Sequence, residues 1–311
     1  MTINMASTIF LNGEFVPEEK AVVSVRTHAL QYGTGCFEGI RAYYNEKEDA
    51  LFIFRLEDHY KRLFLSGRVL CMDIPYSIED LCKITVELLQ KNFSKEDIYI
   101  RPFLYKSDTV IGNFSLPKLK SAISIYTVPM GRYVNTEKGV KVGVSSWTRV
   151  TDNSIPPRAK ITGAYVNTAL AKSDALNSGF DEAVFLDRNG HVLEGSAENL
   201  FIIRDGIAIT PPVSDDILQG ITRSTVMTLL EKELKVKTVE RSIGRTELYQ
   251  CDEMFLVGTG AEVGPVISVD GRKIANGEPG PITNKIKKLY FDAVHGNIPT
   301  YKHWSTKVSP K

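Results

Sequence analysis

Three stretches of this chain carry residue types that could do chemistry. Lys160 closes Ser154-Ile-Pro-Pro-Arg-Ala-Lys160 and precedes Ile161-Thr-Gly-Ala-Tyr165. A neutral lysine amine attacks carbonyl groups, and desolvation or nearby cations favour that neutral form. Most of the 38 basic residues must instead be solvated surface. The run Leu218-Gln-Gly-Ile-Thr-Arg223 puts glycine and threonine at a helix start. Unpaired N–H groups and a positive dipole end suit a phosphate there. A plain helix start with Thr222 as N-cap accounts for the same residues, and the hydroxyl could serve either purpose. The third stretch, Phe255-Leu-Val-Gly-Thr-Gly-Ala-Glu262, is a buried strand entering a glycine-rich turn. Glycines let backbone approach a ligand closely, although tight turns after strands are common.

Elements that could position these residues are legible in the pattern. Thr8 to Phe10, Asn12-Gly13 and Glu14 to Val16 read as a hairpin. Ala50 to Phe54 reads as a buried strand and Leu56 to Leu70 as a helix. Ser77 is the expected N-cap of a second helix running to Leu89. Ile98 to Leu104 and Ala122 to Val128 read as strands. Pro129-Met-Gly-Arg-Tyr-Val-Asn-Thr136 breaks the pattern. The expected organisation is a first domain over 1–128, a connection over 129–136 and a second domain over 137–311. That second domain starts with a strand, Val140 to Ser146. Helices are expected over Val166 to Asn177, Ile221 to Leu234 and Asn284 to Val294, the last with Thr283 as N-cap. Hairpins turn at Asn189-Gly190 and Asp205-Gly206. Met254 to Val257 is a buried strand.

Composition bounds the class. The chain has 311 residues, 43% hydrophobic and 24% charged, with a formal net charge of +1. That is an ordinary globular mix of about two domains. The longest apolar run is Ala50 to Phe54, far short of the ~20 residues that span a bilayer. The first residues lack a secretory leader's basic and apolar regions. No charge block offers a footprint for nucleic acid or membrane. Cys36, Cys71, Cys82 and Cys251 form no CxxC pair, and the five histidines have no metal spacing. Reduced cysteines, a cytoplasmic location and no metal are expected.

Taken in order, the chain resembles the class IV (fold-type IV) pyridoxal-phosphate (PLP) enzymes, and among them the branched-chain aminotransferases. The resemblance is carried by His28-Ala-Leu-Gln-Tyr-Gly-Thr-Gly-Cys-Phe-Glu-Gly-Ile-Arg41, Phe54-Arg-Leu-Glu-Asp-His-Tyr-Lys-Arg62 and Tyr99-Ile-Arg-Pro102 in the first half. The second half adds Arg158-Ala-Lys160, Tyr165, Glu194-Gly-Ser-Ala-Glu-Asn-Leu-Phe201, Leu218 to Arg223 and Gly258 to Glu262. It implies an α+β fold of two domains, a smaller N-terminal α/β domain and a larger C-terminal domain with a barrel-like sheet. It also implies a homodimer at least, with sites at the domain interface and loops from a second subunit. A hexamer built from dimers is common in bacterial relatives.

The resemblance assigns roles. Lys160 carries PLP as a Schiff base and moves the substrate proton. Glu194 faces the ring nitrogen and keeps it protonated, with Glu198 as a competing candidate. Tyr165 bonds the phenolic oxygen and Leu218 packs on the ring. Arg62, Gly220, Ile221, Thr222 and Thr259 hold the phosphate. Tyr32, Phe37, Gly39, Met130 and Tyr133 line the substrate side. Tyr99 and Arg101 share one strand face, and Arg101 suits a glutamate side chain. The amides of Thr259, Gly260 and Ala261 suit the α-carboxylate. Gln219 stands where some relatives have proline and Met130 where tryptophan can occur, which bears on pocket shape. The partners are small amino acids and 2-oxo acids, with leucine, isoleucine and valine expected to react with 2-oxoglutarate. The rival activities are D-amino-acid aminotransferase, (R)-amine transaminase and aminodeoxychorismate lyase. A non-catalytic PLP-binding homologue and a generic phosphate binder on Gly220-Ile221-Thr222 are the rivals of other classes.

Overall fold

The computed structural model describes residues 7–131 and 138–310. The chain forms two compact units. The first comprises Met1–Gly131, Ala159–Gly163 and Ala293–Lys311; the second comprises Arg132–Arg158 and Ala164–Asp292. The division near residue 131 falls within the expected connection, whose residues 132–136 lie outside those described. The second unit is not one continuous stretch, as the pattern had implied. The segment bearing Lys160 and the C-terminus join the first unit instead, which makes the two units close in length.

The first unit is built on an eight-stranded sheet. Its order is Ser305–Val308, Ala50–Phe54, Ile40–Asn45, Ile98–Lys106, Ser121–Pro129, Thr8–Leu11 and Glu14–Pro17, with Gly35–Phe37 also paired to Ile98–Lys106. The first hairpin turns on Asn12 and Gly13, both at positive φ, the geometry that asparagine–glycine favours. Helices Leu56–Val69 and Ile78–Lys91 flank the sheet. The second begins with the expected Ser77 cap, in a reciprocal box with Asp80. Leu63, Leu81 and Leu88 are fully buried, as are Ile40, Ile53 and Ile100 of the sheet. Removing one such leucine side chain costs about 2–5 kcal/mol.

Strand Ile98–Lys106 alternates buried Ile98, Ile100 and Pro102 with half-buried Tyr99, Arg101 and Phe103. The pleat therefore places Tyr99 and Arg101 on one face, as expected. Lys106 is buried with no carboxylate hydrogen-bonded to it. Its Nζ donates to the carbonyls of Cys71 and Leu119 and to Ser121 Oγ. Three acceptors match the three ammonium donors, while burial lowers its pKa.

The second unit holds a ten-stranded sheet. Its order is Thr238–Glu240, Ile207–Thr210, Asn199–Arg204, Glu253–Gly258, Glu262–Val269, Val140–Val144, Glu182–Leu186, His191–Gly195 and Ile243–Gly244, with Arg272–Lys273 paired to Glu262–Val269. Its core includes Val142, Val184, Leu200, Ile202, Met254 and Leu256. Helix Ile221–Lys232 buries Val226, Leu229 and Leu230. The expected hairpin at Asp205-Gly206 forms with both residues at positive φ.

Two expected caps differ. Gly220, not Thr222, is the N-cap of Ile221–Lys232, so the hydroxyl of Thr222 does not cap that helix. Thr283 lies inside helix Pro281–Val294, where Glu253 of the neighbouring strand accepts from its amide and hydroxyl and from the Ile282 amide. A carboxylate at a helix N-terminus satisfies orphan donors more strongly than a hydroxyl does.

A second buried charge is held at a cost. Burial first, then the charge of Glu182, pushes Glu198 up to about 8 against the pull of the Ala197 amide and Lys172. Lys172 Nζ is engaged 2.5 Å from Glu182. The folded chain therefore keeps a proton that the unfolded chain has released between the ordinary carboxylate value of 4.5 and about 8. Stability falls as pH rises through that window. Replacement Glu198→Gln removes the dependence. Thermal denaturation is expected to show the variant losing less Tm than the parent between about pH 5 and about pH 8. Parallel pH profiles would contradict the assignment.

Candidate active site

In the first unit, the lysine segment is stitched to the stretch that the sequence singled out. Lys160 accepts at its carbonyl from the Phe37 amide at 3.1 Å, and its own amide donates to Ser66 Oγ at 3.1 Å. Ile161 bridges Cys36. Thr162 Oγ1 donates to the Gly33 carbonyl at 2.8 Å, and the Gly163 amide reaches the same oxygen. This lacing explains Gly33. It has a φ of +67°, and a Cβ on it would stand 2.8 Å from the Gly163 Cα. A side chain would add about 1–2 kcal/mol of left-handed strain to that collision.

The backbone so held places Lys160 Nζ 5.1 Å from the centroid of the Phe37 ring. The Arg101 guanidinium lies 4.2 Å from the same centroid and donates from Nε and Nη2 to the Tyr99 hydroxyl. Gly39 is required here because a Cβ would strike that hydroxyl. Phe37, Gly39, Tyr99, Arg101 and Lys160 thus come together. Tyr32 packs its ring against His28 and Phe114, with centroids 4.6 and 5.0 Å away. Met130 is held through its carbonyl by Arg41 Nη2 at 2.8 Å. Tyr133 lies outside the described residues.

Arg62 is fixed by a residue that sequence reasoning missed. Glu38 is fully buried and accepts from Arg62 Nε at 2.6 Å and from its Nη2 at 2.8 Å. His59 Nδ1 lies 2.7 Å from Glu38 Oε2. Burial pushes the Glu38 carboxyl upward, but Arg62 and His59 together hold it well below the usual carboxylate range. For His59 burial wins over the neighbouring carboxylate and lowers its pKa, so the ring favours its neutral form. Cys36, beside this cluster in sequence, is pushed up to about 12 by burial and then by Glu38. It is an inert thiol. A signal for Glu38 existed in the pattern: a carboxylate between Phe37 and Gly39, in a run otherwise free of charge from Ala29 to Ile40.

The second unit gathers the other candidates. Glu194 Oε1 accepts from Arg149 Nε at 2.9 Å; Oε2 accepts from the Leu218 amide at 3.1 Å and from Asn199 Nδ2 at 3.2 Å. Asn199 also donates to the Leu218 carbonyl. A Cβ on Gly220 would collide with its side-chain oxygen. Asn199 therefore binds Glu194, Leu218 and the start of helix Ile221–Lys232 into one block. Arg149 and Asn199 were both missed, because Arg149 sits in a polar stretch that reads only as loop. Glu198 is a different kind of carboxylate. It bonds the Ala197 amide and has no hydrogen-bonded arginine.

Gly220 caps its helix without a side-chain bond. The first helical amides are thus left for water or a ligand. Thr222 is buried at the second helical position. Thr259, Gly260 and Ala261 form the loop of the hairpin closed by Gly258 opposite Glu262. A Cβ on Gly258 would lie 3.6 Å from the Ala197 carbonyl, so this loop adjoins the turn after Glu194. Tyr165 begins helix Tyr165–Asn177 and is half-buried. A glycine-capped helix start, a hydroxyl beside it and an arginine-paired carboxylate fit a phosphorylated cofactor with a basic ring nitrogen. Among the described residues no group of three or more His, Cys, Asp or Glu could hold a metal ion.

Known proteins resemble this chain over nearly its whole length. The amino-transferase class IV family model matches residues 35–269. A probable branched-chain-amino-acid aminotransferase of Aquifex aeolicus is 52% identical over 97% of both chains. The Pseudomonas aeruginosa branched-chain-amino-acid aminotransferase is 43% identical over 96% of this chain and 97% of its own. Among solved structures, the Thermoproteus uzoniensis branched-chain aminotransferase with norvaline superposes with a TM-score of 0.92 at 43% identity, covering 97% and 99% of the two chains. The Thermobaculum terrenum branched-chain amino acid aminotransferase in its PLP form also gives 0.92, at 35% identity, covering 99% and 100%. With the family model spanning both units and relatives matched end to end, the chain belongs to the class IV aminotransferases, in the branched-chain-amino-acid aminotransferase group.

Proposed function

We propose that the protein transfers the amino group of leucine, isoleucine and valine to 2-oxoglutarate, using PLP anchored on Lys160. The observation that carries this reading is the Phe37 ring with Lys160 and Arg101 both against it. A nucleophilic amine, an apolar ring face and a guanidinium serve one substrate that is aliphatic and another that is acidic. PLP, when bound, supplies an electron sink for the substrate's Cα carbanion.

The chain's own residues do the rest. Lys160 Nζ would hold the cofactor covalently and, once released, would carry the proton between the substrate's Cα and the cofactor. Arg62, aimed by Glu38, takes the phosphate together with the Ile221 and Thr222 amides and the hydroxyls of Thr222 and Thr259, with Gly220 giving the close approach. Glu194 would face the ring nitrogen, Tyr165 the phenolic oxygen and Leu218 the ring face. Phe37, Gly39, Tyr99, Tyr32, Met130 and Tyr133 shape the apolar pocket. The amides at Thr259, Gly260 and Ala261 receive the α-carboxylate. Arg101 receives the side-chain carboxylate of glutamate or 2-oxoglutarate.

An oligomer of at least two copies is supported by exposed apolar side chains of the first unit. Val22, Val25, Leu30, Ile111 and Phe114 are each more than 60% exposed, and exposed apolar side chains of this size favour burial against a partner. Ile111 and Phe114 lie near Tyr32, since Phe114 touches the Tyr32 ring. Four free cysteines support a reducing, cytoplasmic setting. No helix among the described residues is long and apolar enough to cross a membrane.

One assay tests the activity. Leucine, isoleucine, valine, D-alanine and (R)-1-phenylethylamine are each offered with 2-oxoglutarate. Turnover of the three branched-chain amino acids is expected to exceed the rest, and dominance of D-alanine or the amine would favour the rival activities. With a branched-chain 2-oxo acid as acceptor, Arg101→Ala is expected to lose roughly 10- to 100-fold in kcat/KM for glutamate, the worth of a charge-assisted bond. Leucine should lose far less, and equal losses would refute the selective role. Sedimentation of the holoenzyme should give a dimer or a multiple of it; a monomer would contradict the reading of these side chains as a contact surface.

A further inference from the structure

Arg149 is buried in the second unit with a geometry that its own stability does not explain. Its side chain is 9% exposed and that of Glu194 is 5%. Its Nε lies 2.9 Å from Glu194 Oε1, and its guanidinium carbon lies 5.3 Å from the centroid of the Phe185 ring. Its Nη1 is buried with no hydrogen-bond partner. Burying an ion pair costs desolvation that the attraction only partly returns, and an orphaned donor adds to the loss. An apolar pair of the same volume would serve the core as well or better. The remaining oxygen of Glu194 is occupied by Asn199 and by the Leu218 amide, so three donors set the plane of this carboxylate.

We propose that Arg149 is a positioning residue for the cofactor's ring nitrogen, holding Glu194 ionised and oriented so that the shared proton stays on nitrogen. The proposal rests on the assignment of Glu194 to that nitrogen. A buried carboxylate otherwise tends to take up a proton, as Glu198 does a few residues on. Beside a guanidinium, which keeps its charge across the working pH range, the carboxylate gives up that tendency. A proton between Glu194 and a pyridine nitrogen then belongs to the ring. Lysine at this position would keep the charge but lose the planar fork and its stacking on Phe185.

The test compares two cofactors on the apoprotein: PLP and its 1-deaza analogue, in which C–H replaces the ring nitrogen. Binding is followed by titration, independent of turnover. The parent is expected to prefer PLP. Arg149→Met should narrow that preference by about tenfold or more, the effect of losing an adjacent opposite charge, and Arg149→Lys should restore part of it. Glu194→Gln should narrow it too, with no further change in the double variant. A parent that binds both cofactors equally would overturn the Glu194 assignment itself. A parent that discriminates, with Arg149→Met discriminating equally well, would overturn the role of Arg149 alone. A merely structural arginine would weaken both cofactors together and leave the ratio unchanged. If Arg149→Met does not fold, the ratio in Arg149→Lys decides: a value between those of the parent and Glu194→Gln supports the role, and the parent's value refutes it.

Discussion

The hydrogen bond from the Phe37 amide to the Lys160 carbonyl is the constraint on which the first unit's chemistry depends. It joins residues far apart in sequence and makes Ala159–Gly163 part of a unit whose other strands come from the two ends of the chain. The joint tolerates almost no variation. Gly33 meets Gly163 across a gap too narrow for a methyl group. Thr162 secures Gly33 and Gly35 from the other direction. Because Phe37 is both the bonded partner and the ring under Lys160 Nζ, one interaction fixes backbone register and side-chain direction together.

Charge is handled by one rule in both units. Each unit buries a carboxylate beside an arginine: Glu38 with Arg62, and Glu194 with Arg149. Each carboxylate also takes a third donor, His59 in one case and Asn199 in the other. Buried ion pairs contribute little net stability, and these two are the pairs that the proposed function uses. Glu198 and Lys106 are the contrasts. Both are buried without a hydrogen-bonded ion-pair partner, and both are pushed toward their neutral forms. Lys106 spends its three donors on fixed acceptors, two carbonyls and a hydroxyl, which leaves it no freedom to act as a nucleophile.

Much of this was legible in the residues because local chemistry determined it. Asn12-Gly13 and Asp205-Gly206 made their turns, Ser77 capped its helix, and the alternation from Ile98 to Leu104 set Tyr99 beside Arg101. What stayed hidden was long-range. Nothing near Lys160 says that its strand partner is Phe37. Nothing near Thr283 says that Glu253, thirty residues earlier, takes over its helix start. Glu38, Arg149 and Asn199 were missed for the same reason: their importance lies in partners that only the fold supplies. Of the two purposes open to the Thr222 hydroxyl, the cap is performed by Gly220 without a side chain.

The central claim is that Lys160, among all the lysines, carries the cofactor. Borohydride reduction of the holoenzyme followed by peptide mass mapping tests it most directly, because reduction makes the covalent link permanent. The account predicts one phosphopyridoxyl group per chain, on the peptide containing Lys160. A label on Lys106 or another lysine, or no label on protein saturated with PLP, would contradict it.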